Sequence, residues 1–280
     1  MKNLSDISVI KDVMTRHGFT FSKALGQNFI VNPSVCPRIA DEGGARSGVC
    51  ALEIGAGVGI LTAELAERAD KVVCIELDER LLPVLDETLA DFDNVKIINQ
   101  DVLKCDLKKM IKENFGDSPF VVCANLPYYI TSPVIMKLLE ERIGAESVTV
   151  MVQKEAADRL CAPVGSRDAG AVTVAVNFYA EAQKLFNVSR GSFMPSPKVD
   201  SAVIRLDIRH EPPIKVQNEK FFFSMVKAAF AQRRKTAPNS LSSGMSIPKE
   251  TVLNALRNGG FSETVRPESL TMQELGLLCT

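Results

Sequence analysis

Histidine is scarce in this chain: only His17 and His210 occur in 280 residues. Two imidazoles leave little material for a structural zinc site. Nor do they supply a well-placed base for Ser/His or Cys/His nucleophilic catalysis. The seven cysteines, Cys36, Cys50, Cys74, Cys105, Cys123, Cys161 and Cys279, include no CxxC pair. Cys50, Cys74 and Cys123 fall inside apolar runs, where a thiol is usually a small buried hydrophobe; no metal is expected. No apolar run is long enough to span a bilayer, and the opening MKNLSDISVIKDVM lacks the apolar core of a signal peptide. A cytoplasmic protein without a membrane partner is expected. Charge of one sign is also lacking: the formal net charge is −1, so no whole-molecule field advertises a nucleic-acid partner. Internal repeats and low-complexity tracts are absent. What remains, 46% hydrophobic and 24% charged residues, is the composition of a soluble globular protein with ample core.

From about residue 49 the pattern alternates. VCALEI, KVVCIEL, VKIINQD, FVVCAN and SVTVMVQ read as strands. Each precedes a helical stretch: GILTAELAERA, DERLLPVLDETLA (Pro83 confined to its first turn), LKKMIKENF, SPVIMKLLEER and KEAADRLC. The strands are short, apolar and unalternating, as expected when both faces of a sheet are covered. Repeated β-α units predict an α/β fold with a parallel sheet and helices on both sides. After residue 170, AVTVAVNFYA, AQKLFNVS and SAVIRLDIR follow closely as three strand candidates, so antiparallel members are expected late in the sheet. HEPPIKVQN then breaks the pattern, and EKFFFSMVKAAFAQRRK, PKETVLNALRNGG and MQELGLL read as helices. The predicted domains are residues 1–209 and a small helical domain over 210–280.

EIGAGVGILT puts Gly55, Gly57 and Gly59 between the first strand of this series and its helix. Glycines there permit a tight turn and close approach of backbone to a ligand. The spacing is GxGxG, not the GxGxxG of the usual dinucleotide fingerprint, which suits a ligand without a pyrophosphate. Glu76 ends the next strand, where a carboxylate can accept both hydroxyls of a ribose. Asp101 follows the third, within reach of an adenine amino group. These strand ends face one crevice. The constellation resembles the class I S-adenosylmethionine-dependent methyltransferases. In them the Gly-rich loop passes the methionine part, the acid after strand two holds the ribose and the acid after strand three holds the adenine.

The fourth strand of the series runs into NLPYYI, which holds two of the three tyrosines in the chain. Beside a sulfonium methyl, Asn125 and the carbonyl of Leu126 can both accept hydrogen bonds from one amino group. Pro127 fixes the turn so that the acceptors converge, and Tyr128 offers a flat face for a base. The lone pair of an adenine amino group is delocalised into the ring. Two acceptors on its N–H bonds align it with the methyl carbon and favour its pyramidal form, so positioning and electrostatics supply most of the rate. The motif is similar to the N/D-P-P-Y or N-L-P-Y signature of amino-group methyltransferases, in the version of the adenine-N6 enzymes. Tyr129 is left open, with simple packing as one reading.

Three further segments, KALGQNFIVN, SFMPSPKVDSAVIRL and FAQRRKT, stand in order with the Gly loop and NLPYYI. Together they resemble the KsgA/RsmA ribosomal RNA adenine dimethyltransferases over nearly the whole chain. The resemblance implies S-adenosylmethionine as cofactor, held by Asn28, the backbone of Ile30, Gly55, Gly57, Gly59, Glu76, Asp101 and Asn125. It implies Phe193, expected on a rigid exposed loop, stacking on the target base opposite Tyr128. The implied substrate is two adjacent adenosines in a hairpin loop near the 3′ end of 16S rRNA, each dimethylated, on an immature small subunit. A monomer is expected. Residues 188–240 carry ten Lys/Arg against four Asp/Glu, densest at Arg233, Arg234 and Lys235, which makes phosphate contact plausible. Where the family often continues QRRKT with Leu-Arg-Asn, this chain has Ala237, Pro238 and Asn239. Pro238 is expected to end or kink the helix, with one cation lost for RNA docking. Competing readings are the related Erm enzymes of large-subunit RNA, a non-catalytic assembly factor on the same scaffold and, more weakly, a nicotinamide dehydrogenase. PSPKVDSAV and QRRKT favour the small-subunit enzymes over Erm.

Overall fold

The computed structural model describes Leu4 and residues 6–22, 25–232 and 234–279. Its elements open with α1 (Ile7–Arg16), capped by Asp6, whose Oδ1 accepts from the Ser8 amide at 2.8 Å. The two-residue strand β1 (Phe29–Ile30) and α2 (Val35–Glu42) follow. Then comes the expected alternation: β2 (Cys50–Ile54), α3 (Ile60–Ala66), β3 (Lys71–Glu76), α4 (Leu82–Thr88), β4 (Val95–Asn99), α5 (Leu107–Phe115), β5 (Phe120–Asn125), α6 (Thr131–Glu140), β6 (Ser147–Gln153) and α7 (Lys154–Leu160). Pro83 stands in the first turn of α4, where its missing N–H leaves no helical bond unmade. The rest of the chain forms α8 (Ala171–Tyr179), β7 (Ala180–Val188), β8 (Phe193–Met194), β9 (Ser201–Ile208), α9 (Glu219–Phe230), α10 (Ala237–Met245), α11 (Lys249–Asn258) and α12 (Met272–Leu277).

Seven strands make one sheet in the order β4-β3-β2-β5-β6-β9-β7. β4 to β6 pair in parallel, and β9 runs antiparallel to β6. Every residue of β2 and the first five of β5 are buried, which explains why these strands do not alternate: helices cover both faces. The chain builds outward from β2 to β4, then returns to start again at β5. The carboxyl ends of β2 and β5 therefore flank a topological switch point, where open α/β sheets leave a crevice. β1 and β8 form a separate antiparallel pair, with Ile30 opposite Phe193.

AVTVAVNFYA was expected as a strand; it is helix α8. Its alternating β-branched residues favour strand locally, but tertiary burial overrides a weak propensity. Thr173 to Val176, Phe178 and Tyr179 are all buried, the signature of a helix packed on all sides. The start is fixed by Thr173, whose hydroxyl accepts from the Gly170 amide at 2.9 Å and donates to the Arg159 carbonyl at 2.7 Å.

The chain divides into two compact units, Met1–Ala157 with Gln183–Ile208 and Asp158–Ala182 with Arg209–Thr280. The domain boundary expected after residue 209 is thus corrected: the second unit also takes residues 158–182. The reason is aromatic packing. The Phe178 ring lies 5.5 Å from Phe222 and 5.2 Å from Phe223, and Tyr179 stacks on Phe223 at 5.5 Å. Helix α9 also ends at Phe230, before QRRKT, and Pro238 sits in the first turn of α10. The proline therefore begins a helix and does not break one, as its fixed φ allows.

Candidate active site

The crevice at the switch point is a pocket within the first unit, lined by residues from the 25–30 segment, the β2–α3 loop, the ends of β3 to β5 and Phe193. It brings together Asn28, Ile30, Gly55, Gly57, Glu76, Asp101, Asn125, Leu126, Pro127, Tyr128 and Phe193, all but Gly59 of the residues expected at the cofactor and the target base. Gly59 is not among its lining residues. It caps α3 at φ 88°, and a Cβ there would stand 3.0 Å from Thr88 Oγ1; its role is close packing of helix on helix. Gly57, at φ 60°, admits the Phe29 ring, which would lie 3.2 Å from an added Cβ. The Gly-rich loop thus approaches the segment that closes over it.

Glu76 holds this loop as well as facing the pocket. Its Oε2 accepts from the Gly57 amide at 3.0 Å, and its Oε1 accepts from the Asp78 amide at 2.8 Å. Burial raises its pKa, opposed by those two backbone donors. Asp78 in turn accepts from Gln27 Nε2 at 2.8 Å, which ties the 25–30 segment to the end of β3. Asp101 accepts from the Leu103 amide at 3.0 Å.

Asn125 donates through Nδ2 to the Asn28 carbonyl at 3.3 Å. A carbonyl accepts only, so this bond fixes which end of the carboxamide is which. Oδ1 is left as an acceptor without a hydrogen-bond donor among the described residues. The Tyr128 hydroxyl is paired with Ser201 Oγ at 2.7 Å, and burial raises its pKa. Ser201 is fully buried at the start of β9. It pins the far end of the Tyr128 ring, a positioning role that the sequence did not reveal. Phe193 is 5% exposed, not on an exposed loop as expected. Pairing of β8 with β1 folds it inward, yet it lines the same pocket as Tyr128. Arg234 and Lys235 are exposed in the second unit, and Arg233 lies outside the described residues.

Sequence reading also missed Glu53, which lines the pocket although it is only 1% exposed. Thr62 Oγ1 donates to its Oε2 at 2.6 Å, and Cys74 Sγ donates to the same oxygen at 3.3 Å. Both donors are neutral. Burial pushes its pKa up from 4.5 to about 7, the two hydrogen bonds opposing and the nearby Glu76 adding to the rise. Between those values the folded protein keeps a proton that the unfolded chain has lost, so stability falls as pH rises through this window and levels off above it. The loss amounts to about 3 kcal/mol. Denaturant melts at pH 5 and pH 8 should show that Glu53→Gln, which cannot ionise, gains about that much relative to wild type at the higher pH. An equal difference at both pH values would remove the buried charge from the account.

The sequence matches the family described as "Ribosomal RNA adenine dimethylase" over residues 18–260. It is 44% identical to the ribosomal RNA small subunit methyltransferase A of Alkaliphilus oremlandii, covering 99% of this chain and 97% of that one. Identity to the protein of the same name from Geobacillus thermodenitrificans is 47%, covering 99% and 96%. Among solved structures, a dimethyladenosine transferase from Plasmodium falciparum superposes with a TM-score of 0.75 at 26% identity, covering 89% of this chain and 95% of that one. The 23S rRNA methyltransferase ErmE superposes with a TM-score of 0.67 at 30% identity, covering 89% and 97%. The chain belongs to the ribosomal RNA adenine dimethylase family.

Membership in this dimethylase family makes S-adenosylmethionine the methyl donor, and the pocket fits it. Glu76 and Asp101 contribute two carboxylates, Glu53 an acid whose charge burial disfavours, and no Lys, Arg or His stands among the described residues that line it. Such a lining favours a donor carrying a sulfonium and an ammonium over a ligand with a pyrophosphate. When bound, S-adenosylmethionine supplies an electrophilic methyl group. Among the described residues no cluster of His, Cys, Asp and Glu could hold a metal ion, and no helix is long and apolar enough to cross a membrane.

Proposed function

We propose that this chain dimethylates N6 of two adjacent adenosines in the 3′-terminal hairpin loop of 16S rRNA, during maturation of the small subunit. The observation that carries the reading is the Asn125 carboxamide, whose Nδ2 is engaged by the Asn28 carbonyl so that Oδ1 remains an acceptor, on a residue that lines the same pocket as Tyr128. Oδ1 and the Leu126 carbonyl take the two N–H bonds of the target amine. Their negative ends face the nitrogen as positive charge develops on it, and they need no reorganisation to do so. Tyr128, pinned by Ser201, and Phe193 hold the base between them, replacing the stacking it leaves in the loop. Asn28 and the Ile30 backbone close over the donor, with Gly55 and Gly57 against its amino-acid part, Glu76 at its ribose and Asp101 at its adenine. Arg233, Arg234 and Lys235 contact RNA phosphates.

The names of the relatives at 44% and 47% identity favour small-subunit RNA over the large-subunit substrate named for ErmE. Mass spectrometry of RNA from each subunit, after incubation with the protein and S-adenosylmethionine, tests this directly. Dimethyladenosine is expected at two neighbouring positions of the small-subunit RNA. Product in large-subunit RNA alone, or in neither, would overturn the assignment.

A further inference from the structure

NLPYYI carries two consecutive tyrosines with opposite surroundings. Tyr128 is turned inward onto Ser201. Tyr129 lines the same pocket yet is 59% exposed. We propose that the Tyr129 ring is the stacking platform for the base next to the one being methylated in the same RNA strand, an inference that rests on the adenine-site reading above.

Three features make this ring a built platform and not a stray surface aromatic. First, it is held. A Cβ at Gly26 would stand 3.3 Å from Tyr129 Cε1 and 3.3 Å from Pro127 Cβ, and Gly26 has φ 60°. Only glycine brings that backbone so close to the ring edge at so little strain. Second, its base is rigid. The Ile130 amide donates to the Pro127 carbonyl at 3.1 Å, and Thr131 Oγ1 donates to the same oxygen at 3.3 Å. Third, the ring is continuous with the pocket that takes the reacting base. A loop adenine drawn into that pocket loses its neighbour, and the neighbour loses one stacking face with it. An exposed π-face at the mouth supplies the replacement without reading base identity. Two successive residues of the turn then serve two successive bases, one inside and one at the rim. The arrangement suits a substrate in which both neighbours must take their turn in the pocket.

The test uses a hairpin RNA carrying 2-aminopurine in turn at the target position and at each adjoining position. It is titrated with protein holding S-adenosylhomocysteine. Wild type is expected to quench the probe at an adjoining position. Tyr129→Ala should abolish that quench, keep the quench at the target position and weaken RNA binding about 10-fold. Tyr129→Phe, which keeps the ring, should keep both. Calorimetric affinity for S-adenosylmethionine should not change in Tyr129→Ala. Unchanged adjoining-position quench and RNA affinity in Tyr129→Ala would overturn the proposal. So would a loss of cofactor affinity in place of RNA affinity, which would make the ring a wall of the donor site. Failure of the underlying adenine-site reading has a different signature: no quench at the target position in wild type, or one that survives Tyr128→Ala.

Discussion

Asn125→Ala is expected to lower turnover by about 100- to 1000-fold, with affinity for S-adenosylmethionine close to that of wild type. Removing the side chain deletes Oδ1, one of the two acceptors proposed for the target amine. It also deletes the Nδ2 donor to the Asn28 carbonyl at 3.3 Å. The second loss leaves a backbone carbonyl to find water, which costs about 1 kcal/mol at a partly buried site. The first loss falls on the transition state: a delocalised lone pair becomes nucleophilic only as its two N–H bonds are drawn out of the ring plane. An interaction made fully only there lowers kcat and leaves ground-state binding largely intact. Single-turnover rates at saturating RNA and donor, with calorimetry on the donor alone, separate the two effects. Wild-type turnover would refute the role given to Asn125. A large rise in donor Kd at unchanged turnover would move Asn125 from the target amine to the donor.

The visibility of this site in the sequence follows from how α/β sheets are built. Burial on both faces makes β5 read as an unbroken apolar run and β2 as one interrupted only by Glu53, so the polar Asn125 and the Gly-rich turn after Ile54 mark their carboxyl ends. Those ends converge at the switch point, which is why Gly55, Glu76, Asp101 and Asn125 can be assembled from one dimension. Residues that act from inside a strand carry no such mark. Glu53 sits in CALEI beside apolar neighbours, and only the fold reveals its neutral donors, Thr62 and Cys74. Ser201 is 73 positions from Tyr128, a separation at which no local pattern speaks. The pairing of Ile30 with Phe193 is equally non-local; two-residue strands have too few side chains to show a period. α8 misleads for another reason: its alternation fits a strand, and only the aromatic cluster around Phe178 selects the helix. Gly59 shows the limit of motif reading, since a glycine in a ligand-binding loop can be required by a helix behind it.

Glu76→Ala is expected to raise the Kd for S-adenosylmethionine by roughly 100-fold or more. Two hydrogen bonds from ribose hydroxyls to a charged acceptor contribute about 1.5–3 kcal/mol each, and 1.4 kcal/mol is tenfold in affinity. A second effect comes from the protein itself. The Gly57 and Asp78 amides each donate to a different oxygen of this carboxylate, at 3.0 Å and 2.8 Å. The same side chain therefore shapes the Gly-rich loop before any ligand arrives. This makes Glu76→Gln the sharper experiment. A carboxamide accepts at one end only, so its NH2 group must face one of two backbone donors. Glutamine at this position should lose most of the affinity that alanine loses, although it is nearly the same size and could still accept one ribose hydroxyl. A site in which Glu76 met only the ribose would tolerate glutamine far better. Calorimetry on both variants, with thermal melts to establish that they remain folded, decides between these outcomes. Unchanged donor affinity in folded Glu76→Ala would remove the ribose contact altogether, whereas a mild effect of Gln beside a severe one of Ala would detach the loop tether from binding.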